Sequence, residues 1–320
     1  MAEPRLEATD LRVGFPVAGG RVLRALDGVS LRAGAGQILG LVGESGCGKT
    51  TAARCLAGLL APESGTVRLD GAELGARRTV AQRRAIQMIF QDPYSSLNPR
   101  LSVRRTLREL LAVHDLVPRA GREDRCRELM SLVGLPAAAL DGLPGQFSGG
   151  QRQRIAIARA LAAEPRVLIA DEPVSSLDVS VQATILRLFA DLRDRLGLTV
   201  VIISHDLAVV RQLSDQVAVM YLGRVVEEGP AGDLFGSVRH PYARALLAAA
   251  PRLHQYAVPR PELLGEPPSP VDLPSGCRFH PRCPRAEDIC RREDPLPRPV
   301  RPGSTHIVAC HFGADPLIAG

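Results

Sequence analysis

The sequence predicts an α/β fold on a largely parallel sheet, with a phosphate-binding loop near its start and a helical insertion in its middle. Three observations carry this reading. Strand-like apolar runs alternate with helical stretches before residue 75 and again after residue 167. The string Gly43-Glu44-Ser45-Gly46-Cys47-Gly48-Lys49-Thr50 fits G-x-x-x-x-G-K-[ST] at every fixed position. Lys49 in that string is also the sole lysine of the chain, against 39 arginines.

Residues 1–75 read as short β-like runs and turns around one strand–loop–helix unit. Gln37–Val42 predicts a buried strand, and Thr50–Leu60 a helix ending near Pro62. Strand, Gly-rich loop and helix N-terminus together cradle phosphates with backbone N–H groups and the helix dipole. Gly65–Gly71 predicts a hairpin strand. Residues 100–145 are rich in Leu and Arg at helical spacing, as in Thr106–Leu111. A helix is expected over Arg152–Ala163, a strand over Val167–Ala170, a helix near 180–196 and a strand over Thr199–Ile203. Composition then changes, because residues 251–302 hold 13 of the 26 prolines, too many for ordinary helix or sheet.

Base composition explains most of the arginine excess, but not the position of the exception. A compact ammonium on a flexible stem sits as a point charge between β- and γ-phosphates. A planar guanidinium fork is too wide for a loop already wrapped around them. Other classes are set aside by composition. No run of 18 apolar residues exists, so no membrane span is expected. The start, Met1-Ala2-Glu3-Pro4-Arg5, does not read as a secretory signal, so a cytosolic protein is expected. The net charge of +6 is mild and the arginines are scattered among acids, so nucleic acid is not an expected partner.

The strand Val167–Ala170 runs into Asp171-Glu172. In a phosphate-loop protein the first acid helps hold Mg²⁺ and the second orients or deprotonates the attacking water. Two acids after a strand are weak evidence alone. They acquire context from Phe147-Ser148-Gly149-Gly150-Gln151, from Val174-Ser175-Ser176-Leu177-Asp178 and from Ser204-His205-Asp206.

With these strings the chain resembles the ATP-binding-cassette (ABC) ATPases over residues 5–250. Walker A, an LSGGQ-type signature, Walker B, the D-loop and the switch His come in the family's order. Gln91 in Met88-Ile89-Phe90-Gln91-Asp92-Pro93 matches the Q-loop, and Phe15 stands where an adenine-stacking aromatic lies. Phe147 and Ser176 depart from the commoner Leu and Ala, and neither removes a polar contact. The resemblance implies a RecA-like phosphate-loop NTPase sheet with an ABC-type β-subdomain and a helical subdomain at about 93–160. It also implies that the nucleotide-binding domain covers 1–250 and a Pro/Cys-rich extension 251–320.

The resemblance assigns roles residue by residue. ATP would be held by Phe15, by the loop from Gly43 to Thr50 with Thr51, and by Ser148, Gly149, Gly150, Gln151 and Asp178. Thr50, Gln91 and Asp171 would serve Mg²⁺. Glu172 would act on water, with His205, Gln91 and Lys49 completing the catalytic set. The signature of one cassette closes over the ATP of another in this family, so a second cassette is expected as partner.

The stretch Gln87–Arg100 and the block His240-Pro241-Tyr242-Ala243-Arg244-Ala245-Leu246-Leu247 are similar to the dipeptide/oligopeptide importer ATPases, whose relatives also move nickel or glutathione. That branch implies a heterodimer with another cassette subunit beneath two membrane permeases, fed by an extracytoplasmic binding protein. The protein would then sit at the cytoplasmic face of the membrane. A soluble ABC ATPase working on ribosomes or nucleic acid is the rival, but it would carry two cassettes or a coiled-coil insertion.

Four cysteines follow the spacing Cys277-x5-Cys283-x6-Cys290-x19-Cys310. A Pro-rich segment with little core gains folding energy from a metal. Cys283-Pro284 fits iron–sulfur ligation, whereas Cys277-x2-His280-x2-Cys283 with His311 leaves zinc open, and free thiols in a loose tail are the third reading. Some members of the importer branch carry a [4Fe–4S] cluster on this extension, which implies the four cysteines as its ligands. The segment is far in sequence from the hydrolytic residues, so its loss is expected to affect stability or assembly more than ATP binding.

Overall fold

The computed structural model describes residues 4–92, 97–175, 177–249 and 265–313. The readings of 93–96, of Ser176 and of 251–264 lie outside the described residues.

The first thirty residues are not short strands but one long hairpin. Strands β1 (Pro4–Val17) and β2 (Arg21–Gly34) pair antiparallel, with several register shifts that bend them. Strand β3 (Ile38–Val42) then enters a second sheet and delivers the phosphate loop to helix α1 (Lys49–Ala57). This helix ends three residues earlier than expected. Gly58 takes a left-handed conformation and caps it, donating its N–H to the carbonyls of Arg54 and Cys55. Strand β4 (Ser64–Leu69) returns to β1 and turns at once into β5 (Ala72–Glu73), which completes an antiparallel sheet in the order β2-β1-β4-β5.

Helix α2 (Val80–Ala85) leads into strand β6 (Ile86–Ile89), an element that its short apolar run did not announce. Helices α3 (Val103–Val113) and α4 (Arg122–Leu132) follow, and then α5 (Gly149–Leu161), capped by Ser148. On α3, Val103, Leu107 and Leu111 are buried at a spacing of four, the stripe of an amphipathic helix facing a core. Strand β7 (Val167–Asp171), helix α6 (Val179–Leu196) and strand β8 (Thr199–Ser204) lie where the alternation put them. Helix α7 (Leu207–Leu213), strands β9 (Gln216–Tyr221) and β10 (Arg224–Pro230), and helices α8 (Ala231–Gly236) and α9 (Pro241–Ala249) follow.

The main sheet runs β11-β12-β10-β9-β3-β8-β7-β6. Its centre is parallel, and buried strands of this kind carry apolar residues on both faces. Val167 and Ile169 face a core shared with α1 and the antiparallel sheet. Leu168 and Ala170 face the helical layer of α3, α4, α5 and α6.

The tail reading is corrected for the described part of the extension. It is not loose. After helix α10 (Asp288–Arg292), strands β11 (Arg298–Pro299) and β12 (Ile307–Val308) extend the main sheet beyond β10. Phe279 is fully buried among Tyr221 and Tyr242, with ring centroids 5.3 and 5.5 Å apart. A buried Glu227 on β10 accepts the N–H groups of Arg239 and His240, both at 2.8 Å, and lies 2.7 Å from Nε2 of His306. This carboxylate joins helix α9 and the extension to the sheet.

Candidate functional site

The phosphate loop lies between the C-terminal end of β3 and the first turn of α1, the place where a parallel sheet and a helix N-terminus both favour an anion. Gly48 sits at φ 108° directly before the helix, and a Cβ there would collide with the carbonyl oxygen of Ala25. Lys49 is 5% exposed. Its ammonium curls back to donate to the carbonyls of Gly43 at 2.7 Å and Glu44 at 2.9 Å, and lies 3.8 Å from the Cys47 sulfur. Cys47 is a free thiol, and burial raises its pKa despite the neighbouring ammonium.

The two acids at the end of β7 are placed differently. Asp171 is buried and accepts the Thr50 hydroxyl at 3.2 Å. Burial raises its pKa, and the Thr50 hydrogen bond only partly opposes this. Hydroxyl and carboxylate oxygens side by side are the donor set of a hard divalent cation, so Thr50 and Asp171 fit the metal that accompanies a nucleoside triphosphate. Glu172 adopts φ 47°, unusual for a residue with a side chain, which turns it off the strand line. Gln91 donates to one of its oxygens at 2.9 Å, and Nδ1 of His205 stands 3.3 Å from the other. Three side chains distant in sequence, Gln91, Glu172 and His205, converge from the ends of three adjacent strands, β6, β7 and β8.

The other expected residues lie outside this cluster. Phe15 is exposed on β1, opposite Leu23. The hydroxyl of Ser148 accepts the N–H of Gln151 at 3.3 Å, and Gln151 accepts the N–H of Ser148 at 3.0 Å, a reciprocal cap on α5. Gly150 packs so closely on Val181 of α6 that a Cβ would collide with it. Asp178 is exposed at the start of α6.

Cys277, Cys283, Cys290 and Cys310 line one small pocket together with His280 and His311. Burial pushes the Cys277 thiol up to about 11 and raises Cys283 and Cys310 as well. His280 and His311 are already bonded to backbone carbonyls, of Cys277 at 3.0 Å and Glu293 at 2.9 Å. Among the described residues no group of three or more His, Cys, Asp or Glu is arranged to hold a metal ion. Neither the zinc nor the iron–sulfur reading finds support in this arrangement. Among the described residues no helix is long and apolar enough to cross a membrane.

Sheet, phosphate loop and strand-end acids define a phosphate-loop ATPase cassette, and comparison with known proteins agrees. The ABC transporter family profile matches residues 26–175, and the profile of the oligopeptide/dipeptide transporter C-terminal region matches 226–290. A peptide import ATP-binding protein of Brucella abortus (strain 2308) is 50% identical over 308 residues, covering 95% of this chain and 91% of that one. A peptide ABC transporter ATP-binding protein of Sinorhizobium fredii is 46% identical, covering all of this chain and 93% of that one. Among solved structures, cbiO1 of Clostridium perfringens, part of the ABC transporter complex cbiONQ, superposes with a TM-score of 0.66 at 30% identity, over 73% of this chain and 91% of that one. The cassette MJ0796, a post-hydrolysis dimer with ADP and Pi, gives 0.63 at 28% identity, over 71% and 98%. The chain belongs to the ABC transporter ATPases, in the oligopeptide/dipeptide branch, and it is an ATP-binding, ATP-hydrolysing cassette.

The Glu227 junction and the arginines that tie the extension to the cassette escaped sequence reading. The acid pair Glu227-Glu228 inside an otherwise apolar strand was the one available signal, because a carboxylate in such a place needs partners.

Proposed function

We propose that this chain powers a peptide importer, hydrolysing ATP as one of two cassettes beneath two permeases at the cytoplasmic face of the membrane. The convergence of Gln91 and His205 on Glu172, next to Thr50 and Asp171, carries the hydrolytic part. The two family matches support the substrate class. Nickel and glutathione are the alternatives within the same branch.

In this reading Lys49 leaves the Gly43 and Glu44 carbonyls for the β- and γ-phosphates, while loop N–H groups and the α1 dipole hold the rest. Phe15 stacks on the adenine from β1. Mg²⁺, held by Thr50 with Asp171 behind it and Gln91 nearby, would neutralise charge between the phosphates. Glu172 takes the proton of the attacking water, and His205 and Gln91 hold its carboxylate in line before turning to the γ-phosphate and its metal. Ser148 to Gln151 present a helix N-terminus with little side-chain bulk, suited to the ATP of the partner cassette. Exposed Asp178 lies toward that same interface. Residues 1–250 form the nucleotide-binding domain and 251–320 the extension.

The four cysteines are read as [4Fe–4S] ligands. Their support is that four thiols line one pocket. Cys277, Cys283, Cys290 and Cys310 would be the residues that hold such a cluster, through their thiolates. When bound, the cluster would supply positive charge that ionises buried thiols and ties the segment together.

The test is Glu172→Gln in the assembled transporter. Nucleotide binding is expected to persist while turnover falls by about 10²-fold or more. Turnover within threefold of wild type would refute the role of Glu172. The isolated chain should hydrolyse ATP poorly and improve with its partners, and full activity in a strictly monomeric preparation would refute the two-cassette site.

A further inference from the structure

The extension grips the phosphate loop itself. Between Cys277 and Cys283 the chain makes one tight turn with two buried arginines, Arg278 and Arg282. Arg278 donates to the Leu222 carbonyl and to Asp27, anchoring the turn on the cassette. Arg282 donates to both oxygens of Glu44, at 2.8 and 3.0 Å, across 238 positions of sequence. Such a two-point fork fixes direction as well as distance. Glu44 is the second residue of the phosphate loop, and its backbone N–H donates to the Tyr242 hydroxyl at 2.8 Å. Tyr242 is fully buried, 4.5 Å from the Tyr221 ring. The side chain and the backbone of one loop residue are thus held by groups that lie beyond residue 240. The carbonyl of the same residue accepts the Lys49 ammonium at 2.9 Å.

We propose that Arg282 is a positioning residue for ATP binding: together with Tyr242 it straps Glu44 and holds the phosphate loop in its binding shape. The proposal rests on the ATP reading of that loop. It joins the cysteine pocket to the nucleotide site, since Cys283 adjoins Arg282. This reverses the expectation drawn from sequence distance, that the extension matters to stability more than to ATP.

The test uses the full-length chain with a fluorescent ATP analogue, and the assembled transporter for steady-state kinetics. Arg282→Ala and Glu44→Gln are each expected to weaken nucleotide binding by about five- to twentyfold, raising KM more than they lower kcat. Arg282→Lys should recover part of the loss, because a point charge restores attraction without the fork. The double variant should bind no worse than the worse single one. Binding within twofold of wild type in Arg282→Ala, or additive losses in the double variant, overturns the proposal. So does a loss in Arg282→Ala that disappears when binding is measured well below the melting temperature, since that marks a purely structural contact. Lys49→Ala separates the two levels. If it binds ATP as well as wild type, the loop is not the nucleotide site and the underlying reading fails instead.

Discussion

Replacing Glu227 by Ala tests the junction that holds helix α9 and the extension on the sheet. Glu227 is 1% exposed and accepts two backbone N–H groups at 2.8 Å, with the His306 ring nitrogen 2.7 Å away. Alanine strands these partners where little water reaches them. Breaking a buried charged arrangement by removing one member costs about 3–5 kcal/mol. At about 2 °C per kcal/mol for a chain of this size, the melting temperature should fall by roughly 6–10 °C. Glu227→Gln keeps one acceptor oxygen but turns an amide N–H toward a donor, so it should lose about 1.5–3 kcal/mol. Thermal melting followed by circular dichroism measures both. Labelling of Cys277 and Cys310 by a thiol reagent should accelerate in parallel, because detaching the extension opens their pocket. An alanine variant within about 0.5 kcal/mol of wild type, with unchanged thiol labelling, would refute the reasoning.

Asp27 gives a pH dependence of definite sign. Burial would raise its pKa, but Arg224 and Arg278 outweigh burial and hold it below 3.8. Its stabilisation is therefore present above pH 3.8 and is lost as pH falls through the lower folded-state value. Asp27→Asn should flatten the acid limb of a melting-temperature profile below that pH, and an unchanged limb would show that the arginines do not act through Asp27. Gly48→Ala should bind nucleotide at least about tenfold more weakly, because the new Cβ meets the Ala25 carbonyl at a left-handed φ; wild-type affinity in equilibrium binding would contradict the loop geometry. Protein made and kept anaerobically should contain about four irons and matching sulfide per chain. That content should fall sharply in Cys283→Ser, and protein with neither iron nor sulfide would end the cluster reading.

Local grammar made most of the cassette legible. The phosphate loop is a contiguous string, and Asp171-Glu172 follows a strand whose apolar run can be read directly. What stayed hidden depends on contacts distant in sequence. Strand β11 was masked by its proline, and it forms because an edge strand needs only a few backbone partners, here on β12. The convergence of Gln91, Glu172 and His205 became expected through family resemblance, since nothing in three separate strand ends says that they adjoin. Arg282 was invisible for a different reason. Among 39 arginines no single one stands out, and its partner lies 238 residues away.

The contrast between Lys49 and Arg282 explains why composition drift stopped at one position. Both cations serve the same loop, and Glu44 is a partner of each. Inside the loop, the Lys49 ammonium has two carbonyls and a sulfur within 3.8 Å. A compact charge with three rotatable donors fits that space and can be handed to a phosphate without moving the loop. Outside the loop, the Glu44 carboxylate presents two oxygens in a plane, which a guanidinium meets with two parallel bonds. Exchanging the residues would fail both ways: a fork inside has no room to turn, and an ammonium outside loses the second bond. A chain that drifts to arginine wherever charge alone is needed must keep lysine where shape excludes the fork, and only the loop imposes that condition.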